Sequence, residues 1–464
     1  MKIKVLGAAG GEVTGSAYLI QANKCNILVD AGMFQGSKTS EEKNKLPQGV
    51  KPSLIHAILL THGHLDHTGR VPMLIKYGFD SPIFATDQTL DLSQIILQDS
   101  ARLQVADAIR YNKRKWKKGE PPKEPLYNTE HVEVMKDLAR PVKLNESVEI
   151  GPGIHARWIE AGHMLGSGSI EVTVKEDGKT KIVCFSGDLG PIIFPMLNPF
   201  DHFQKADMVF LESTYGDRDH RSYDETLKEF EGIIRMAAES KGKILVPSFA
   251  IGRSQQIIYH MAEFFAAGKI KPFPVYLDSP MAIKAFEVYR ENQNLLDEEY
   301  QELKRNGVFP LDGQYFVPSA TAESSKALND IKGPCMILAG AGMCNGGRIL
   351  HHLSRNLSDP NCHVLIVGYQ SVGSLGRRLV EKASKVSIFG EEKIVKANVH
   401  TLGGFSAHAG QSDLMNWFSS LAPAKPRVVI THGEDGPRQA LADLITKKHK
   451  LKPQLPRIGE VFEL

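Results

Sequence analysis

The sequence predicts an α/β protein of two or more domains, with a sheet-rich part wrapped around a strand–turn–helix part. Three observations carry this. Short apolar or alternating runs crowd the first 90 residues, with few helical patterns between them. From about residue 209 the pattern becomes strand, glycine-rich turn, helix, repeated, as in a parallel α/β unit. The chain has 464 residues, more than one core usually serves.

Taken in order, "KIKVLGA", "SAYLIQA", "CNILVDAG" and "IHAILLTH" read as strands bounded by Gly, Asn and Asp, and their close spacing predicts a mainly antiparallel sheet. "SPIFATD" adds a strand, and a long helical pattern runs from about Leu90 to Lys117. The basic run "RYNKRKWKKGEPPKEPLY" breaks it with charge, glycine and proline; its interleaved aromatics suit an RNA backbone, and a solvated helix end is the plainer reading. Strands return at "VEIGPGIHARWIEAG", "GSIEVTVKE" and "TKIVCFSGD". Then come four strand–helix pairs: "KILVPSFA" with "GRSQQIIYHMAEFFAAG", "PVYLDSP" with "MAIKAFEVYRENQNLL", "PCMILAGAG" with "NGGRILHHLSRNL", and "CHVLIVGYQ" with "GSLGRRLVEKA". Short elements resume near residue 395. "MLNPF" and "HHLSRN" read as packing or surface.

Composition narrows the class. Apolar residues make up 42% and charged residues 23%, as in an ordinary soluble globular protein. The net charge of +3 does not announce a nucleic-acid binder, so an anionic partner must meet a local patch. Five scattered cysteines without a C-x-x-C pair argue for a reducing compartment, and the N-terminus does not read as a signal peptide. No apolar run approaches the length of a membrane span. These features predict a cytoplasmic protein without a membrane partner.

The chemistry begins at "LLTHGHLDHTG". His62, His64, Asp66 and His67 fall within six positions at the exit of a buried strand, a rigid place for metal ligands. Imidazole nitrogen and carboxylate oxygen suit Zn²⁺, and a site with an open position is catalytic. His62 and His64 can serve one position while Asp66 and His67, further along, serve a second. His163 in "IEAGHMLGSGSI", Asp188 in "IVCFSGDLG" and His432 in "VVITHGE" occupy similar strand exits. Together these seven supply two ions if Asp188 bridges.

"HGHLDH" resembles the signature of the metallo-β-lactamase superfamily. The ordered set "AGHMLGS", "FSGDLG", "LESTYGD", "FSAHAG" and "THGE" resembles its β-CASP branch of RNA-processing nucleases over essentially the whole chain. The resemblance implies an αββα metallo-β-lactamase sandwich formed by residues 1–208 and 396–464, with a parallel α/β β-CASP domain, residues 209–395, inserted into it. It implies two zinc ions per chain: one on His62, His64 and His163, the other on Asp66, His67 and His432, with Asp188 between them. Asp30 in "LVDAG" would orient a ligand from outside this set. Asp66, Glu212 and His408 would carry the catalysis, His408 protonating the leaving oxygen and Glu212 orienting it.

The implied activity is hydrolysis of RNA phosphodiester bonds, with single-stranded RNA held between the two domains. Two ions about 3.5–4 Å apart activate water and stabilise an in-line displacement, and histidine is suited to protonate an alkoxide near neutral pH. Internal cutting and 5′-to-3′ degradation use the same site, and a homodimer is compatible with it. A small-molecule metallohydrolase and a catalytically silent RNA-binding scaffold are the rival readings. The glycine-rich turns offer Ser248, Arg253, Gly342, Gly346, Arg348, Gly373 and Arg377 as phosphate contacts.

Overall fold

The computed structural model describes all residues except 37, 48, 116–120, 369 and 371–372. Part of the basic run 110–127 therefore lies outside the described residues. The chain forms two compact units: Met1–Ile192 with Pro199–Asp219 and His408–Leu464, and Ile193–Asn198 with His220–Ala407.

In the first unit two sheets face each other. One has seven strands in the spatial order Val461–Glu463, Lys2–Val5, Tyr18–Ala22, Cys25–Val29, Ala57–Leu59, Ile83–Ala85, Ala139–Pro141. The other has six: Arg427–Ile430, Met208–Leu211, Lys179–Phe185, Gly168–Glu176, Ile154–Glu160, Ser147–Gly151. Ile3, Ile20, Ile27, Leu59, Trp158, Val172, Phe185 and Phe210 fill the space between them. Strand alternation sends the neighbouring residues outward, under helices. Leu28, Ile58 and Ile83 pack with Val71, Leu97 and Met135 on one side; Cys184, Val209 and Ile430 pack with Leu414, Trp417 and Leu441 on the other. The layers are helix, sheet, sheet, helix.

The seven-stranded sheet is not mainly antiparallel as its strand spacing predicts. Cys25–Val29, Ala57–Leu59, Ile83–Ala85 and Ala139–Pro141 run parallel to one another, and only the pairs involving Lys2–Val5 and Tyr18–Ala22 with their neighbours are antiparallel. The connections explain the difference. Short helices Leu65–Thr68 and Val71–Lys76, and then the long helix Asp87–Lys115 with Thr129–Leu138, supply the crossovers that parallel pairing requires.

The second unit has one parallel six-stranded sheet, ordered Val317–Pro318, Val275–Leu277, Cys335–Ala339, Lys243–Pro247, His363–Ile366, Asn398–Thr401. Cys335–Ala339 is wholly buried and apolar, and its neighbour Lys243–Pro247 is buried after its first residue, as expected for strands covered on both faces. The strand patterns did not signal the hairpin Lys385–Ile388 with Glu391–Ile394. "MLNPF" is packing, with Met196, Leu197 and Phe200 buried.

The first unit runs to Asp219 and resumes at His408. Hydrogen bonds hold these stumps together: Gln411 N–H donates to Arg218 O at 3.0 Å, Gln411 Nε2 to Gly216 O at 2.7 Å, and Ser412 N–H to Asp219 Oδ1 at 2.7 Å. Among the described residues, no helix is long and apolar enough to cross a membrane.

Trp158 is fully buried between the sheets and its indole N–H donates to Leu60 O at 3.0 Å, one residue before Thr61. Trp158→Ala should cost about 3–5 kcal/mol of stability from the lost packing and the cavity left, read as a fall in the urea midpoint.

Candidate metal centre

The side chains with metal chemistry gather at one edge of the first unit because the strands that carry them end there. Lys179–Phe185, Met208–Leu211 and Arg427–Ile430 are parallel and in register, Phe185 beside Phe210 and Leu211 beside Ile430. Their exits therefore bring Asp188, Glu212 and His432 side by side. In the other sheet Val29 pairs with Leu59, and Asp30 N–H donates to Leu59 O at 2.8 Å, which sets Asp30 against Thr61. The loop after Ile154–Glu160 brings His163 to the same edge.

Three groups of donors result, all sharing Asp188, and two of them are the histidine-rich sets. In the first, His64 Nδ1 lies 3.1 Å from both His62 Nε2 and His163 Nε2, and Asp188 Oδ2 lies 3.4 Å from His62 Nε2 and 3.7 Å from His163 Nε2. In the second, His67 Nε2 lies 3.2 Å from both His432 Nε2 and Asp188 Oδ1. His432 Nε2 is 3.4 Å from Asp188 Oδ1 and 3.6 Å from Asp66 Oδ2. Asp188 thus gives one oxygen to each set. Four ligands about 2.0–2.1 Å from a zinc ion at tetrahedral angles stand roughly 3.3 Å apart, and these spacings bracket that value.

The hydrogen bonds behind the rings choose which nitrogen faces inward. Asp30 Oδ1 accepts from Thr61 N–H at 2.8 Å, and Oδ2 accepts from Thr61 Oγ1 at 2.9 Å and from His67 Nδ1 at 2.7 Å. With its hydrogen given to Asp30, Thr61 Oγ1 accepts from His62 Nδ1 at 3.0 Å. Thr214 Oγ1 donates to His432 O at 3.3 Å and accepts from His432 Nδ1 at 3.1 Å. In His62, His67 and His432 the Nε2 lone pair is left pointing into the site, the arrangement in which carboxylates and hydroxyls commonly orient metal-binding imidazoles. Thr61 and Thr214 were missed from sequence; nothing marks a threonine for this role until its neighbours are known.

Electrostatics make the same demand. Burial pushes His62 down to about 3, with His67 adding to it, and holds His64 and His163 below the usual histidine range. A neutral ring keeps one N–H and offers the lone pair of its other nitrogen, the form that ligates a cation. Burial works against ionising Asp188 and Asp66, yet the neighbouring histidines, His432 foremost, hold both well below the carboxylate range. Burial also opposes a charge on His67, and Asp188 and Asp30 outweigh it and raise its pKa. Asp188 Oδ1 is buried and makes no hydrogen bond, at a cost of about 1–3 kcal/mol or more for such a group. Buried carboxylates facing converging lone pairs fit divalent cations.

Beside these sets, His408 Nδ1 lies 3.4 Å from Glu212 Oε1 and 4.0 Å from Asp188 Oδ2. Glu212 is 1% exposed and its carboxylate accepts from Leu189 N–H at 2.9 Å and Thr214 N–H at 3.0 Å. Burial alone would lower the His408 pKa; Glu212 first, then Asp188 and Asp66, push it up to about 9.

The phosphate candidates lie in the second unit and fare differently. Ser248 is buried, its hydroxyl 3.0 Å from Ser254 Oγ. Arg253 is nearly buried, bonded to Gln256 and 5.8 Å over the Phe405 ring. Arg348 donates to Asp278 Oδ1 at 2.7 Å and to the carbonyls of Ser319 and Ala320. The structure gives both arginines internal partners: Asp278 is wholly buried and needs a counter-charge, which sequence could not show. Arg377 is 2.7 Å from Glu381 at the surface, with its N–H on Ser374 Oγ. Gly342, Gly346 and Gly373 lie in the loops, where Gly373 has φ +86°.

Two glycines permit the close approaches. A Cβ on Gly32 would stand 1.5 Å from Asp66 O, and one on Gly190 1.8 Å from Gly162 O, beside His163. Gly190→Ala should weaken divalent metal affinity about 10–100-fold, as changes outside the ligand set commonly do, although it removes no donor. Chelator competition measures this; unchanged affinity in a folded variant would refute the close-packing account.

Three family models match in chain order: the metallo-beta-lactamase superfamily over residues 10–248, the Beta-Casp domain over 254–379, and the Zn-dependent metallo-hydrolase RNA specificity domain over 393–456. The chain is 39% identical to Ribonuclease TTHA0252 of Thermus thermophilus, over 99% of both chains. It is 28% identical to Transcription termination factor FttA of Pyrococcus abyssi, over 100% of this chain and 71% of that protein. Its fold resembles the crystal structure of a protein of unknown function from Enterococcus faecalis V583, with a TM-score of 0.57, 12% identity, and coverage of 100% and 99% of the two chains. With the superfamily model spanning over half its length and the donor sets in place, the chain belongs to the metallo-β-lactamase superfamily, in its β-CASP branch.

Proposed function

We propose that this protein is a zinc-dependent ribonuclease that hydrolyses phosphodiester bonds of single-stranded RNA. The observation that carries the reading is Asp188: one buried carboxylate with an oxygen in each of two donor sets, and the Glu212–His408 pair beside it. The RNA specificity domain match and the similarity to a ribonuclease support RNA as substrate. A small-molecule metallohydrolase is disfavoured by the Beta-Casp and RNA specificity domain matches, which such chemistry does not call for.

His62, His64, His163 and Asp188 Oδ2 would hold one ion, and Asp66, His67, His432 and Asp188 Oδ1 the other. When bound, a pair of zinc ions supplies an activated water and neutralises charge on the phosphate. The protein does the rest. Asp30, Thr61 and Thr214 keep the imidazoles in one tautomer. Glu212 holds His408 by Nδ1, so that Nε2 is the atom that hands a proton to the leaving ribose oxygen. The deeply buried Glu212 is itself fixed by two backbone N–H groups and does not swing away as the proton moves.

His163→Ala should lose metal and cleavage together. His408→Ala should keep its metal and lose about 10²–10⁴ in cleavage rate, the usual contribution of a general acid. Zinc analysis beside a cleavage assay separates the two, and wild-type rate in His408→Ala would sink the acid assignment. The reaction class is tested with end-labelled RNAs bearing 5′-hydroxyl, monophosphate or triphosphate ends. Mononucleotides from the monophosphate alone mark a 5′ exonuclease, internal fragments from all three an endonuclease. No cleavage of any RNA by zinc-loaded enzyme would refute the reading.

A further inference from the structure

The parallel sheet of the second unit has its topological switch point between Cys335–Ala339 and Lys243–Pro247. From Lys243–Pro247 the chain goes through helix Arg253–Ala266 to Val275–Leu277 on one side; from Cys335–Ala339 it goes through helix Ile349–Asn356 to His363–Ile366 on the other. Loops that part in this way leave a crevice at the carboxyl ends of the strands, where open α/β sheets bind ligands.

Phe249 stands in the first of these loops. It is 48% exposed, and among the described residues it is the only large apolar side chain exposed in the loops after Pro247, Ala339 and Ile366. The ring has a prepared seat. A Cβ on Gly342 would come within 3.0 Å of Phe249 Cδ2 and Cε2, and one on Gly368 within 3.5 Å of Cε2, so the ring packs beside glycines from two loops. Gln370, itself buried, ties those loops together: its Nε2 donates to Gly342 O at 2.9 Å and Gly368 O at 3.1 Å. The Phe249 backbone is pinned as well, its carbonyl accepting from Ser254 Oγ at 2.7 Å and Ser248 Oγ at 3.2 Å.

A flat apolar ring is thus packed beside glycines of two loops and left about half exposed. A single ring is too small an apolar surface for a protein interface, and it matches one nucleobase. We propose that the exposed ring of Phe249 is a stacking platform for one base of the bound single-stranded RNA; this rests on the ribonuclease reading above. Stacking tolerates any base, since every base has a π-face. The platform adds affinity without sequence preference.

The test scans one abasic position along a phosphorothioate-linked oligoadenylate that the enzyme does not cleave, with affinity read by fluorescence anisotropy on zinc-loaded protein. For wild type, one position should show a loss of about tenfold, the size of one base–aromatic stack. Phe249→Ala and Phe249→Leu should bind the intact oligomer about tenfold more weakly and show no such position, and Phe249→Trp should keep it. Leucine still covers the glycines, so a folded Phe249→Leu separates stacking from packing. The slope of affinity against salt should not change, since no phosphate contact is lost. If Phe249→Leu keeps the wild-type abasic penalty while wild type cleaves RNA, the platform is refuted and the ribonuclease reading stands. If wild type neither binds nor cleaves any RNA, both fall.

Discussion

The structure depends on a buried carboxylate that the protein by itself does not satisfy. Asp188 is 2% exposed, its Oδ1 makes no hydrogen bond, and nitrogens of His62, His67, His163 and His432 converge on its two oxygens at 3.2–3.7 Å. Three of those rings have their N–H groups committed behind them, to Asp30, Thr61 and Thr214. Lone pairs that face one another repel, and buried carboxylates are costly without a partner. Positive charge between them relieves this, and a divalent cation supplies it at both donor sets.

Such an arrangement has to be imposed by something stiffer than itself. Here that is the edge where two packed sheets end together. Parallel register sets Asp188, Glu212 and His432 abreast, and the parallel pair Cys25–Val29 with Ala57–Leu59 does the same for Asp30 and Thr61. The same parallel pairing accounts for the insertion. Met208–Leu211 and Arg427–Ile430 are neighbours that need a crossover, and the second unit occupies part of that connection. Loop closure grows only slowly in cost with length, so a whole unit is tolerated there. The bonds from Gln411 and Ser412 to Gly216, Arg218 and Asp219 hold the two ends of the insertion together.

Most of the metal centre was legible because its residues carry their signal locally. Three histidines and an aspartate within six positions at a strand exit point to metal before any fold is known, and His163, Asp188 and His432 each follow an apolar run. The arginines illustrate the limit. Arg253 and Arg348 follow glycine-rich turns and look available for phosphate, yet one is nearly buried and bonded to Gln256, and the other neutralises Asp278, seventy positions away. A charge is free or spoken for according to what the fold brings to it. Phe249 depends on the fold in the same way: the glycines beside its half-exposed ring come from two distant loops.

By itself the sequence determined that strands would present a histidine–aspartate cluster, that a parallel α/β unit would follow, and, through its resemblance to a family, which seven residues to assemble. These rest on periodicity and on side-chain chemistry, which are local properties. The tertiary structure decided that half of the first sheet is parallel, that Asp188 divides its two oxygens between the donor sets, and which threonines lock the imidazoles. These follow from strand register and close packing, where the partner of each group is set by residues tens to hundreds of positions away.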